Sequence, residues 1–281
     1  MPGSPGPRIN LRPGPFFKAA AGRLDLRSRK GFPVTVAATI AVLAFLGFLS
    51  IVEDVLEPVM GLMDRAAQAS VLLVRTPLLT KFFWIATLMG DWRVMIVETL
   101  VAALLLAVWG HPRRAGSVAI LVLTGQLVST LLKGFVDRPR PSASLALIAE
   151  PTSASFPSGH ALAGVLLFGT LALMLAASKQ RPWLRISGTV GIAAVSIAIG
   201  VSRVYLGVHY ASDVLASWLL GMTMLATWAA AVLVWGRTQP PEERRTFEAW
   251  GHAWWRWALV VLGAVAAVVS IVAEMGSLPL L

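Results

Sequence analysis

Hydrophobic positions in this chain fall into long runs rather than amphipathic stripes. A helix of about 20 apolar residues crosses the roughly 30 Å hydrocarbon core of a bilayer. The pattern therefore predicts an all-α, polytopic transmembrane helical bundle. Seven spans are predicted, at 33–53, 94–110, 116–135, 159–178, 186–204, 214–236 and 255–275.

The segment between the first two predicted spans, 54–92, has a different pattern. Its two apolar pieces, 70–74 and 82–90, are too short to cross a membrane and favour interfacial or re-entrant structure. Three parts of the chain are thereby predicted: a basic, flexible cytoplasmic tail (1–32), a membrane-embedded core (33–236), and a cytoplasmic loop followed by an extra transmembrane helix (237–281).

Composition agrees with a membrane location. Hydrophobic residues make up 57% of the chain and charged residues 14%, which is little charge for the surface of a soluble domain. The chain has no cysteine, which excludes disulfides and thiolate chemistry. The net charge of +10 is better explained by cytoplasmic loops than by nucleic-acid binding, because Lys and Arg concentrate on the inner side of membrane proteins.

The distribution of positive charge also predicts an orientation. With the N-terminus inside, 16 of the 24 Lys and Arg residues fall in predicted cytoplasmic segments. We therefore expect a protein of the bacterial inner (plasma) membrane with a cytoplasmic N-terminus.

Unusual polar residues concentrate in three short clusters, at 133–141, 157–160 and 202–213. Each cluster lies at the end or the beginning of a predicted span. The predicted topology places all three on the outer face, although they are far apart in sequence. This arrangement predicts one site that faces the periplasm or the cell exterior.

The clusters contain the groups that bind phosphate. Lys133, Arg140 and Arg203 supply positive charge, and the planar donor fork of arginine matches phosphate oxygens. A helix that begins near Ser158 and Gly159 would add unpaired backbone N–H groups, the positive end of its dipole and a hydroxyl. We expect a phosphoryl-binding pocket.

Two histidines and an aspartate add chemistry to binding. In-line displacement at phosphorus needs a nucleophile and a proton donor for the leaving oxygen, and imidazoles can fill both roles near neutral pH. Asp213 follows His209 by four residues, which on a helix puts both on one face, where Asp213 can orient the imidazole. His160 is the second histidine of the predicted site.

The three clusters resemble the signature of the type 2 phosphatidic acid phosphatase superfamily, whose lipid phosphate phosphatases share an active site with vanadium-dependent haloperoxidases. The family pattern is Lys-x6-Arg-Pro, Pro-Ser-Gly-His and Ser-Arg-x5-His-x3-Asp, and each named position is filled here at the right spacing. The family core has six helices. The long basic tail and the predicted span at 255–275 depart from that core.

The resemblance implies a role for each residue of the clusters. His209 would attack phosphorus to form a phosphohistidine, oriented by Asp213. His160 would protonate the leaving group and then activate water. The remaining positions would hold the phosphate and its transition state without a metal or another cofactor: Lys133, Arg140, Ser158, Gly159 and Arg203.

Several alternatives stay open at this stage. A non-catalytic lipid-phosphate binding protein would have lost motif residues, a transporter would show repeated halves, and a zinc hydrolase would place its metal beside three cations. Among substrates, we expect undecaprenyl pyrophosphate first; phosphatidylglycerol phosphate, phosphatidic acid and lipid A phosphate are the alternatives. Two further expectations concern single contacts: a hydrogen bond between helices for Glu98, and an ion pair between Arg138 and Asp137.

Overall fold

The computed structural model describes residues 32–57, 61–108, 110–149, 151–178 and 180–235. These residues form eight α-helices and one short 3-10 turn, and no strand occurs among them. The helices are α1 (Phe32–Leu56), α2 (Leu62–Val74), α3 (Pro77–Leu88), α4 (Trp92–Val108), α5 (Pro112–Val136), α6 (Gly159–Ala176), α7 (Pro182–Tyr205) and α8 (Ala211–Trp235). The expected all-α class is confirmed.

Five of these helices are long and apolar enough to cross a membrane: α1, α5, α6, α7 and α8. The second predicted span corresponds to α4, whose 17 residues extend about 25 Å at 1.5 Å per residue, the short end of what spans a bilayer. The predicted span at 255–275, the segment 237–281 that contains it and all of the predicted tail except Phe32 lie outside the described residues.

Except for α6, the helices that correspond to predicted spans begin earlier than the apolar runs that predicted them. Two of them, α5 and α7, start at Pro112 and Pro182, four residues before the predicted spans at 116–135 and 186–204. Proline suits the first turn of a helix because it has no N–H to leave unpaired there and its φ is already helical. The apolar run marks the part of a helix that matches hydrocarbon, whereas the backbone stays helical beyond it.

The bundle is organised around α6, which packs against α5, α7 and α8. Leu162, Leu166 and Leu167 of α6 are fully buried. The outward faces of the surrounding helices are apolar as well: Leu43, Ile120 and Val190 are each more than half exposed. Leucine and isoleucine on the outside of a helical bundle are stable when lipid rather than water surrounds it, so the fold is that of an integral membrane protein.

Two short helices, α2 and α3, connect α1 to α4 within the segment 54–92. Their 13 and 12 residues are too few to cross a membrane, in accord with the sequence pattern. The α3 helix packs against α7, where the ring of Phe83 contacts Tyr205 at 4.5 Å and the backbone N–H of Thr76 donates to the Tyr205 hydroxyl at 3.1 Å. These contacts fix α2 and α3 beside the end of the bundle that holds the polar clusters.

Candidate active site

The three polar clusters meet at one end of the bundle. They lie at the end of α5, the beginning of α6 and the turn between α7 and α8. Backbone hydrogen bonds join them: Ser155 N donates to Arg138 O at 2.9 Å, and Ser158 N donates to Asp213 O at 3.4 Å. The structure thus brings together the eight residues predicted from sequence.

The centre of the site is the pair formed by His209 and Asp213. His209 Nδ1 lies 3.2 Å from Asp213 Oδ2, and both side chains are buried. The helical spacing expected for this pair is wrong in detail, because His209 precedes α8 and only Asp213 lies on it, in the first turn. The carboxylate also accepts from Tyr210 N at 2.9 Å, so it caps the start of α8 while it contacts the imidazole.

A buried serine completes this arrangement. Ser155 is fully buried, and its hydroxyl donates to Asp213 Oδ2 and lies 3.4 Å from His209 Nδ1. Ser155 and His209 therefore share one carboxylate oxygen of Asp213. No sequence signal pointed to Ser155, since it lies outside the predicted motifs and serine is common in loops.

The second ring nitrogen of His209 faces a cation. Arg140 Nη1 lies 3.3 Å from His209 Nε2, so Nε2 must act as an acceptor and the proton belongs on Nδ1, next to Asp213; this tautomer is inferred from the hydrogen bonds. Burial lowers the pKa of His209 to about 3, although Asp213 opposes the shift. At neutral pH the imidazole is neutral, with its Nε2 lone pair directed at the cationic side of the site.

Arg203 is a buried cation close enough to His209 to affect it electrostatically. It is 3% exposed, and its Nη1 donates to Thr87 Oγ1 at 2.5 Å. Its Nε is buried and has no hydrogen-bond partner among the described residues. A buried guanidinium N–H without an acceptor is costly, and an anion oxygen would satisfy it.

Lys133 and Arg140 hold the loop that leads into α6. Lys133 Nζ donates to Ala154 O, and Arg140 Nε donates to Ser153 O at 2.8 Å. Arg140 also donates to Val208 O at 2.7 Å. Both cations thus line the space between this loop and the turn that carries His209.

The beginning of α6 is built as expected for an anion site. The helix starts at Gly159 with Ser158 as its N-cap, and the Ser158 hydroxyl oxygen accepts from Ala161 N at 3.5 Å. The first N–H groups of α6 and the positive end of its dipole point at the site. His160 follows in the first turn, and a Cβ placed on Gly90 would lie 3.0 Å from its Cβ, so the turn after α3 packs directly on this histidine.

Two expectations outside the motifs are wrong. Arg138 pairs with Asp64 and Asp213, at 2.8 and 2.5 Å, rather than with Asp137, because Asp137 ends α5 in the left-handed conformation. Glu98 is 3% exposed, and neither of its carboxylate oxygens has a hydrogen-bond partner among the described residues, so the expected bond between helices is not formed.

Sequence reasoning missed the contacts that α2 and α3 make with the site, through Asp64 and Thr87. Both residues lie in the segment 54–92, for which the apolar pattern predicted only interfacial or re-entrant pieces. The sequence signal that could have identified Asp64 is a carboxylate near the start of a short, mostly apolar segment.

Fold and site together define a helical integral-membrane protein with a polar, cation-lined site at one end of its bundle. Residues 114–239 match the PAP2 superfamily, which confirms the resemblance that the motifs indicated.

Two relatives and a solved structure agree with this match. The chain is 28% identical to phosphatidylglycerophosphatase B of Bacillus subtilis (strain 168) over 185 residues, 64% of this chain and 88% of the relative. It is 42% identical to an undecaprenyl-diphosphatase of Sulfolobus acidocaldarius over 72 residues, 26% of this chain and 31% of the relative. The crystal structure of a transmembrane PAP2 type phosphatidylglycerolphosphate phosphatase from Bacillus subtilis matches with a TM-score of 0.59 and 25% identity, covering 67% of this chain and 93% of that one.

Proposed function

We propose that this protein hydrolyses a phosphomonoester or pyrophosphate of a lipid through a phosphohistidine on His209, at the outer face of the bacterial inner membrane. The observation that supports the proposal most directly is the position of the His209 imidazole between Asp213 and Arg140. Its Nδ1 lies 3.2 Å from Asp213, and its Nε2 is an acceptor 3.3 Å from Arg140. A neutral, oriented nitrogen beside a phosphate-binding cation is an activated nucleophile.

The reaction has two balanced steps. In the first, His209 Nε2 bonds to phosphorus, the bond between phosphorus and the leaving oxygen breaks, and His160 donates a proton to that oxygen. In the second, His160 accepts a proton from water, whose oxygen attacks phosphorus and releases inorganic phosphate from His209.

The remaining residues of the site would stabilise the charge that develops on the phosphoryl oxygens. Arg203 offers its unpartnered Nε, and Lys133 and Arg140 add two further cations beside the loop that leads into α6. Ser158 and Gly159 begin α6, so backbone N–H groups can donate to an equatorial oxygen. Donors fixed in advance in a site of low dielectric stabilise a transition state more than a solvated ground state.

We also propose that the reaction needs no metal. The pocket already concentrates three cations, which would oppose a divalent ion. Within the described ranges, no group of three or more His, Asp or Glu side chains is arranged to hold one. The imidazole replaces the metal-activated nucleophile of metallophosphatases.

Undecaprenyl pyrophosphate is the proposed substrate, in line with the activity named for the Sulfolobus acidocaldarius relative. Phosphatidylglycerol phosphate is the second candidate. The relative with the longer alignment and the matched crystal structure are both phosphatases named for this lipid. Phosphatidic acid and lipid A phosphate carry the same phosphoryl group and are the two remaining candidate substrates.

The test is phosphate release by purified protein in detergent with EDTA, on these four lipids in parallel. We expect turnover of one lipid to exceed that of the others, and loss of turnover in His209→Ala. Asp54→Asn is the control, since Asp54 is exposed on α1. Release that requires added metal, or that survives in His209→Ala, would reject the mechanism.

A further inference from the structure

A series of hydrogen-bonded side chains connects α2 to the proposed nucleophile. Asp64 of α2 is 2% exposed, and its Oδ2 accepts from Arg138 Nη2 at 2.8 Å. Arg138 Nη1 in turn donates to Asp213 Oδ1 at 2.5 Å. Asp213 contacts His209 through its other oxygen. The order of the contacts is therefore Asp64, Arg138, Asp213, His209.

Ser212 joins the first two members of this series, Asp64 and Arg138, to the start of α8. Ser212 N donates to Asp64 Oδ1 at 2.8 Å, and Ser212 Oγ donates to Asp64 Oδ2 at 2.6 Å. Arg138 Nη1 also donates to Ser212 Oγ at 2.8 Å. The Arg138 guanidinium lies 4.1 Å from the centroid of the Tyr210 ring, so it is held on both its edge and its face.

The geometry gives Arg138 a defined effect on Asp213. One carboxylate oxygen of Asp213 is occupied by the guanidinium, which leaves only the other to accept from His209, Ser155 and Tyr210. The carboxylate plane is thereby fixed. The two carboxylates outweigh burial and raise the pKa of Arg138 above its ordinary value, so Arg138 stays charged and bound.

We infer that Asp64 and Arg138 are positioning residues, which hold Asp213, and through it the His209 imidazole, in the orientation for attack on phosphorus. Neither residue lies within the motif positions that define the phosphoryl pocket. This inference rests on the proposed function, and it makes docking of α2 a condition for a competent nucleophile.

The experiment measures kcat, KM and the rate of phosphoenzyme formation for Asp64→Asn in detergent with EDTA. In the variant an amide N–H replaces an acceptor oxygen beside Arg138, so the contact between residue 64 and Arg138 is weakened. We expect kcat and the phosphorylation rate to fall about 10- to 100-fold, the scale of a catalytic group misplaced by up to 1 Å, with KM within about 2-fold. Asp54→Asn, which removes an exposed carboxylate of α1, should match the wild type.

A double-mutant cycle separates positioning from a general loss of structure. If Asp64 acts only through Asp213, adding Asp64→Asn to Asp213→Asn should lower kcat by less than about 3-fold. Full additivity, or an unchanged phosphorylation rate in Asp64→Asn, would overturn the inference. If Asp64→Asn does not yield folded protein, Arg138→Lys enters the same cycle, because lysine keeps the charge but lacks the two-pronged contact.

The activity of the controls separates failure of the positioning role from failure of the proposed function. A wild type and an Asp54→Asn control that release no phosphate reject the proposed function. Active controls with an equally active Asp64→Asn reject only the positioning role.

Discussion

Gly90 is the position at which a single methyl group should disturb the proposed proton donor. It lies in the turn after α3, where a Cβ would come 2.6 Å from Ile199 Cγ2, 3.0 Å from His160 Cβ and 3.1 Å from His160 Cδ2. Carbon atoms pack at about 3.5–4.0 Å, so Gly90→Ala demands movement of up to about 1 Å. Ile199 is fully buried, and its neighbours limit how far it can yield.

The size of the effect follows from this overlap. An extra methyl in a packed core costs about 1–3 kcal/mol, and a catalytic group displaced by about 1 Å loses about 100-fold in rate. We therefore expect Gly90→Ala to remain folded and to lose about 10- to 100-fold in kcat on a lipid substrate.

The assay compares two leaving groups. A nitrophenyl phosphate ester releases nitrophenolate, which needs no proton. If His160 protonates the leaving oxygen of the lipid, Gly90→Ala should form the phosphoenzyme from this ester at close to the wild-type rate. Gly191→Ala is the matched control, because a Cβ there meets no atom within 4 Å. A wild-type rate on lipid, or an equal loss on both substrates, would refute the steric argument or the role of His160.

Three further predictions concern the nucleophile and its neighbours. Because burial lowers the pKa of His209 to about 3, phosphoenzyme formation from the nitrophenyl ester should stay constant as the pH falls towards 4; a loss centred near pH 6.5 would show that the imidazole is not held neutral. Asp213→Asn should lower kcat by about 10⁴-fold, the scale seen when the carboxylate that orients a catalytic histidine becomes an amide. A loss of less than about 10-fold in steady-state kinetics would contradict this. Thr87→Val removes the acceptor of Arg203 Nη1, and since bonds to charged groups contribute about 1.5–3 kcal/mol, kcat/KM should fall about 10- to 100-fold while Thr87→Ser stays near the wild type.

The motif residues could be predicted from sequence because their spacing is fixed by local backbone geometry. The apolar runs put 133–141, 157–160 and 202–213 at one end of the bundle, and the helices bear this out. Asp213 could be paired with His209 from their separation of four residues, although the actual contact crosses the turn before α8 rather than one helical face.

The supporting contacts could not be predicted, because they join residues far apart in the chain. Asp64 meets Arg138 across 74 residues, and Thr87 meets Arg203 across 116. Asp64 and Thr87 come from short helices whose composition indicates only an interfacial location. For Arg138, the adjacent Asp137 was the obvious local partner, and only the path of the chain after α5 shows that the guanidinium turns towards α2 and α8.

The most direct test of the account is to trap the covalent intermediate. Wild-type protein would be mixed with lipid labelled in the scissile phosphate, in EDTA, quenched in alkali and mapped by mass spectrometry. The account predicts an alkali-stable, acid-labile phosphate on His209 that is missing in His209→Ala and present in Asp54→Asn. Label on another residue, or lipid turnover with no phosphoenzyme at any time point, would contradict it.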